Sequence, residues 1–247
     1  MSATAVAGPN MKVVVSVGGS VLAPGEPDTV TAHADVIEDL HEEGHTVGVV
    51  VGGGSTALEY IDVARELGAN EMKLDDIGIA ATRLNARLLI AALGESAVQT
   101  PPEDYDAAGD SLRRGEVAVM GGVAPAQTTD AVSAAFAEYV DADLLVFATS
   151  TDGVYTADPA TDDGAERIPE LSAADLVERI AGIEMNAGAA APVDLLAAKV
   201  IQRSGLRTIV LDGTDPERIG RAVRTGEHEG TDVRPAGGGA DPADWTA

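Results

Sequence analysis

The sequence contains no cysteine, and only three of its 247 residues are lysine: Lys12, Lys73 and Lys199. The first absence excludes disulfides, thiolate nucleophiles and thiolate metal sites. The second belongs to a general shortage of positive charge, since 16 basic residues stand against 41 acidic ones and the formal net charge is −25 at pH 7. A chain of that sign repels a phosphate backbone, so no nucleic-acid partner is expected. The sequence also lacks an 18-residue apolar run and a signal-peptide pattern in its first 25 residues, which leads us to expect a cytoplasmic protein without a membrane partner. Neither common phosphate-loop fingerprint, G-x-x-x-x-G-K-[ST] or G-x-G-x-x-G, occurs. The four histidines (His33, His41, His45 and His228) have no metal-ligand spacing and read as solvated surface residues.

What is present is a strongly patterned chain, 45% hydrophobic, which folds despite its charge. Concentrated salt screens self-repulsion within a few ångström, so the composition suggests a halophile's cytosol. The acidic stretch "DPATDDGAE" fits that setting and misses the EF-hand register. Short apolar segments at Lys12–Val17, Thr46–Val51, Glu116–Met120, Leu144–Thr149 and Arg207–Leu211 read as strands. Helical periods lie between them, including Val30–Glu43, Ile77–Leu93 and Val193–Ser204, each followed by glycine. This alternation predicts an α/β fold with a mostly parallel sheet covered on both faces, and ligands beyond the carboxyl ends of the strands.

Four turns after strands are rich in glycine or hydroxyl groups. They contain Gly18-Gly19-Ser20, Gly52-Gly53-Gly54, the segment from Gly121 to Asp130, and Thr149 to Gly153. In the second, Thr56 and Glu59 have the spacing of a capping box, so a strand, a glycine turn and a helix N-terminus follow one another and offer backbone N–H groups to an anion. In the third, Thr128, Thr129 and Asp130 precede a helix whose apolar stripe is Val132, Ala135, Phe136, Tyr139 and Val140. Any one of these turns is explained by ordinary turn and cap chemistry. Their recurrence predicts one polar rim on one sheet.

Six segments, "VGGSVL", "VVVGGG", "DDIGIAATRLNARLLIAAL", "GG…P…TTDAV", "TDGVYTADP" and "VDLLAAKVIQRSG", occur in an order that resembles the amino acid kinase superfamily, most closely its archaeal uridylate (UMP) kinases. The resemblance runs from about Met11 to Pro235. It implies a three-layer α/β/α sandwich over residues 11–235, between an extension at 1–10 and a tail at 236–247, and a homohexamer. It further implies transfer of the γ-phosphoryl group of ATP to UMP with Mg²⁺. Gly53, Asp75 and the segment Val123, Ala124, Pro125, Ala126, Gln127, Thr128 and Thr129 match the UMP side, and Gly19, Ser20, Gly54, Thr149, Tyr155 and Asp158 the ATP side. Lys199 matches the cation that reaches the transferring group, with Asp194 and Asp152 as acidic positions that orient cations nearby.

The phosphate of UMP is its own nucleophile, because its second pKa is near ~6, so no general base is needed. Two positions depart from the resemblance: Ser16 and Leu58 stand where many superfamily members or archaeal relatives carry a lysine and an arginine. Arg65, Arg83 and Arg87 are the candidates to compensate. Two alternatives remain. One is another enzyme of the superfamily, acting on acetylglutamate, aspartate or isopentenyl phosphate. The other is a noncatalytic oxoanion-binding protein resembling the molybdenum storage proteins.

Overall fold

The computed structural model describes residues 10–184 and 193–235. The expected N-terminal extension, apart from Asn10, and the expected tail lie outside the described residues. Seven strands form one sheet: β1 (Lys12–Val17), β2 (Thr46–Val51), β3 (Ala118–Met120), β4 (Leu144–Thr149), β5 (Glu170–Ser172), β6 (Thr208–Asp212) and β7 (Thr231–Arg234). Their order is β3-β2-β1-β4-β6-β7-β5, and every neighbouring pair is parallel except β6 and β7. The helices are α1 (Gly19–Leu22), α2 (Pro27–Glu42), α3 (Gly54–Glu66), α4 (Glu71–Leu93), α5 (Tyr105–Arg113), α6 (Thr129–Tyr139), α7 (Ala173–Glu184), α8 (Leu195–Ser204) and α9 (Glu217–Thr225).

Successive residues of a strand face opposite sides of the sheet, and both sides are apolar here. Val13, Val15 and Val17 join a core with Ile37 of α2, Leu89 of α4 and Val223 of α9. Val14 joins a second core with Leu112 of α5, Phe136 of α6, Leu176 of α7 and Ile201 of α8. The result is the expected three-layer sandwich. Close packing sets one strand residue: a Cβ on Gly48 would come within 2.6 Å of the Phe136 ring, so β2 carries glycine where α6 crosses it.

Several expectations need correction. Thr56 is no cap, since α3 begins two residues earlier at Gly54 and its N-cap position, Gly53, bears no side chain. α2 starts at Pro27 and α4 at Glu71, ahead of the apolar periods, because proline suits a first helical position and the Asn70 side chain caps the Lys73 N–H. β3 begins at Ala118 rather than Glu116, and β6 is shifted by one residue to Thr208–Asp212. α6 is buried nearly all round, with Tyr139 exposed and bonded to Asp106 at 3.0 Å.

The histidines are not all solvated. His33 is fully buried, its ring nitrogens 2.8 Å from the Thr29 carbonyl and 3.0 Å from the Gly213 carbonyl, and His45 is buried against the Met11 N–H. The segment Glu71–Ser96 is long and apolar enough to cross a membrane, yet Ala86, Leu89 and Leu93 pack it onto the sheet.

Candidate active site

β1 has β2 on one side and β4 on the other, so the chain reverses its direction of winding at β1 and opens a crevice past the strand ends. The four turns anticipated from the sequence follow β1, β2, β3 and β4, which are neighbours in the sheet. Together they line an open cleft of about 850 Å³. Gly18 to Ser20, Gly52 to Ser55, Gly122, Gln127 to Asp130 and Ala148 to Ser150 form its polar wall, and Leu58, Ile61, Gly78 and Ile79 its apolar wall.

Glycine permits a direct contact between the first two turns. A Cβ on Gly19 would lie 2.0 Å from the Gly54 nitrogen, and one on Gly52 would lie 2.5 Å from the Gly19 nitrogen. Gly54 also has φ +54°, with the Gly19 carbonyl 2.5 Å from where a Cβ would sit. Backbone therefore packs on backbone. Asn85 of α4, buried behind the triplet, donates to the carbonyls of Gly52 (2.9 Å) and Gly53 (3.0 Å). In a trans peptide the N–H points opposite to the C=O, so the Gly53 and Gly54 N–H groups are directed away from Asn85. No side chain caps α3, whose first-turn donors and positive dipole end border the cleft.

Across the cleft, Asp75 of α4 accepts the Ala126 N–H at 2.8 Å and so holds a turn in which Ala126 has φ +63°. The Thr128 hydroxyl caps α6 by accepting the Ala131 N–H at 3.1 Å and donates to Asp194. Asp194 in turn caps α8, accepting the Ala197 N–H at 2.9 Å. Two helix N-termini are thereby tied together at one point. Asp130 sits between them. Burial first, and the neighbouring Asp194 charge second, push its carboxyl up to about 7, opposed by a hydrogen bond from the Asp194 backbone.

The cleft gathers Gly19, Ser20, Gly53, Gly54, Asp75, Gln127, Thr128, Thr129 and Thr149. Val123, Ala124, Pro125 and Ala126 form the loop behind the Asp75 contact and do not line it. Tyr155 and Asp152 lie outside it too, joined by a 2.5 Å hydrogen bond, with Arg167 3.6 Å from Asp152. Asp158 accepts the Ala160 N–H at 2.9 Å in the following turn. Lys199 stands exposed on α8, without an ion pair among the described residues. Leu58 and Ser16 do line the cleft, but the three candidate compensating arginines do not. Arg65 pairs with Asp62, Arg83 binds the Gly122 carbonyl and Glu103, and Arg87 borders a separate hollow at the end of α4.

Residues 11–212 match the model of the amino acid kinase family. The chain belongs to the amino acid kinase family. Within it, the chain is similar to a uridylate kinase of Halobacterium salinarum, 66% identical over 92% of this chain and 95% of that one. A uridylate kinase of Haloarcula marismortui is 63% identical over 91% of this chain and 99% of that one. Among solved structures, uridylate kinase from Archaeoglobus fulgidus superimposes with a TM-score of 0.81 at 48% identity, covering 90% of this chain and 100% of that one.

For a chain of the amino acid kinase family, the sequence reading left out two residues that shape the cleft. Asn85 orients the triplet, and its signal was a lone amide in the apolar run "RLNARLLIAAL". Asp130 had been read as part of a cap cluster, although Thr128 alone performs the capping. Its half-buried seat beside Asp194 depends on α8, which sequence spacing does not bring near.

Proposed function

We propose that this protein transfers the γ-phosphoryl group of ATP to UMP, giving UDP and ADP. The observation that carries the reading is the pair of glycine turns packed backbone to backbone beside the uncapped α3 N-terminus, facing the joined N-termini of α6 and α8. Two phosphate groups brought together in this space repel strongly. At ~5 Å and an effective dielectric near 20, each pair of like unit charges costs roughly 3 kcal/mol. The turns and helix ends offset that repulsion with fixed dipoles, which need no reorganisation during transfer.

In this reading UMP takes the Asp75 and Gln127–Thr129 side, where a carboxylate suits ribose hydroxyls and threonine hydroxyls suit uracil and phosphate. ATP takes the side of Gly19, Ser20, Gly54 and Thr149, its base and ribose reaching toward Tyr155 and Asp158. Lys199 extends back along α8 toward the transferring group, the direction helical side chains favour. Asp194 holds the α8 N-terminus against α6. Asp152 fixes Tyr155 through their hydrogen bond.

Among the described residues no group of three or more acidic or histidine side chains forms a metal cage. Asp130 and Asp194 nevertheless fit Mg²⁺, an ion commonly held by one or two carboxylates together with substrate phosphates. When bound, it neutralises charge on the transferring phosphates. The nucleophile is the UMP phosphate itself, so the residues only position and stabilise.

We also infer self-association, in keeping with the homohexamer expected from the family. α3 buries only Ala57 and Ala64 and exposes Leu58, Tyr60, Val63 and Leu67, next to Leu84 and Leu88 of α4.

The test is ADP formation from ATP and Mg²⁺ in high-KCl buffer with UMP, CMP, acetylglutamate or isopentenyl phosphate offered separately. Turnover with UMP is expected. Turnover with another acceptor alone would reassign the site within the family, and folded protein that turns over none would point to oxoanion binding.

A further inference from the structure

Two consecutive glycines, Gly121 and Gly122, follow β3 and open the loop that runs to the α6 N-cap at Thr128. Close approach to α4 requires them. A Cβ on Gly121 would lie 2.6 Å from the Thr82 hydroxyl oxygen and 2.8 Å from the Arg83 nitrogen, and one on Gly122 would lie 2.9 Å from the Ile79 side chain. Glycine permits this contact, but it also leaves the backbone free to rotate where nothing holds it.

Two adjacent residues of α4 supply the hold. The buried Thr82 accepts the Gly122 N–H on its hydroxyl at 2.7 Å, and the same hydroxyl donates its proton to the Ile79 carbonyl at 2.7 Å. Arg83 donates its Nε–H to the Gly122 carbonyl at 3.1 Å, and its guanidinium lies 3.5 Å from Glu103. Both backbone polar groups of Gly122 are thus bonded to α4. Asp75, seven residues before Thr82 and on the same face of the helix, accepts the Ala126 N–H at 2.8 Å farther along the loop. One helix face therefore fixes the loop at Gly122 and at Ala126.

We infer that Thr82 and Arg83 are positioning residues for UMP: they clamp Gly122 so that Gln127, Thr128 and Thr129 stand in place before the nucleotide arrives. The inference rests on the proposed assignment of that wall to UMP. Neither residue has to touch the nucleotide. Thr82 borders the cleft with its hydroxyl proton committed to Ile79, and Arg83 lies behind the loop on the Gly122 carbonyl. Without the clamp the glycine pair visits other conformations in the free protein, and UMP then binds only the fraction in which the loop is in place. The clamp acts on the turn after β3, whereas ATP is assigned to the turns after β1, β2 and β4. Its loss therefore falls on one substrate.

The experiment compares the parent with Thr82→Val and Thr82→Ser in steady-state kinetics, varying UMP and ATP in turn at one KCl concentration, with thermal midpoints confirming that each protein is folded. Isothermal titration of UMP reads binding without turnover. Thr82→Val keeps the shape and removes the hydroxyl, and is expected to raise KM and Kd for UMP about fivefold, as the loss of one hydrogen bond implies. Its kcat and its KM for ATP should change less than about twofold, the pattern of lost acceptor binding. Thr82→Ser keeps the hydroxyl without the methyl group and should return KM for UMP close to the parent value. Should Thr82→Val not fold, Arg83→Met reads the clamp from the carbonyl side. Loss of loop position raises KM for UMP alone, whereas loss of positive charge as such weakens both anionic substrates. An unaltered KM for UMP, equal rises for UMP and ATP in either variant, or a Thr82→Ser protein no better than Thr82→Val would overturn the inference and leave the kinase reading standing. No turnover of UMP by the folded parent would remove the kinase reading and the inference with it.

Discussion

Asp130 faces opposing demands. At the first turn of α6 the helix dipole favours its negative form, while burial and the nearby Asp194 disfavour it, and the latter effects prevail by raising its pKa to about 7. Between pH 3.8 and about 7 the folded chain thus holds a proton that the unfolded chain releases. Stability contributed in this way is complete below that window and is lost as pH rises through it. Asp130→Asn keeps the shape and removes the titration. Thermal midpoints of the variant, measured at fixed KCl, should vary less between pH 4 and 7 than those of the parent, and an identical pH profile would remove Asp130 as the cause. Lys199 has a simpler prediction, because it is exposed and makes no ion pair among the described residues. Lys199→Ala should lower kcat by roughly 100-fold or more while KM for UMP changes little, as expected for a group that acts on developing charge. Comparable losses in kcat and in UMP affinity would make it a ground-state anchor.

At the scale of elements, the two glycine turns are the feature most exposed to substitution. Gly19→Ala forces a Cβ to within 2.0 Å of the Gly54 nitrogen, a backbone atom that cannot rotate aside. The expected loss is about 2 kcal/mol or more in unfolding free energy, accompanied by loss of turnover. A variant with parental stability would mean that the turns separate freely. β1, β2 and β4 could be placed to the residue from sequence because each is a continuous β-branched or apolar run bounded by turn residues. β5 and β7, "ELS" and "TDVR", were not legible, being too short and polar to show a period. α3 was placed too late since its first residues are glycine and serine, and its start is fixed by contact with the neighbouring turn. The same limit applies within the cleft: the rim of four turns could be read from recurrence, but the Asn85 clasp and the closeness of Asp130 to Asp194 depend on which helices lie behind them. His33 was misread for a related reason. Its polar helix face turns out to meet the Gly213 carbonyl at the end of β6, 180 residues away in sequence.

The whole molecule combines a net charge of −25 with an apolar strip on α3 and α4. Such a strip is larger than scattered surface hydrophobics require, and a second copy of the same chain meets it without placing charge against charge. Val63→Asp, at a position 59% exposed, should leave the thermal midpoint of the protomer nearly unchanged while reducing the assembled mass in light scattering at matched KCl. An undiminished mass would move the interface elsewhere. The contact between the glycine turns has a different consequence at this scale. Because only backbone separates Gly19 from Gly54, no side chain can be lengthened or trimmed to adjust the spacing between the two turns. Substitutions elsewhere can reshape the walls of the cleft, but this distance acts as a fixed gauge. A mutational library aimed at new acceptors should therefore hold Gly19, Gly52 and Gly54 constant together and vary the opposite wall, from Asp75 to Ile79 and from Gln127 to Thr129.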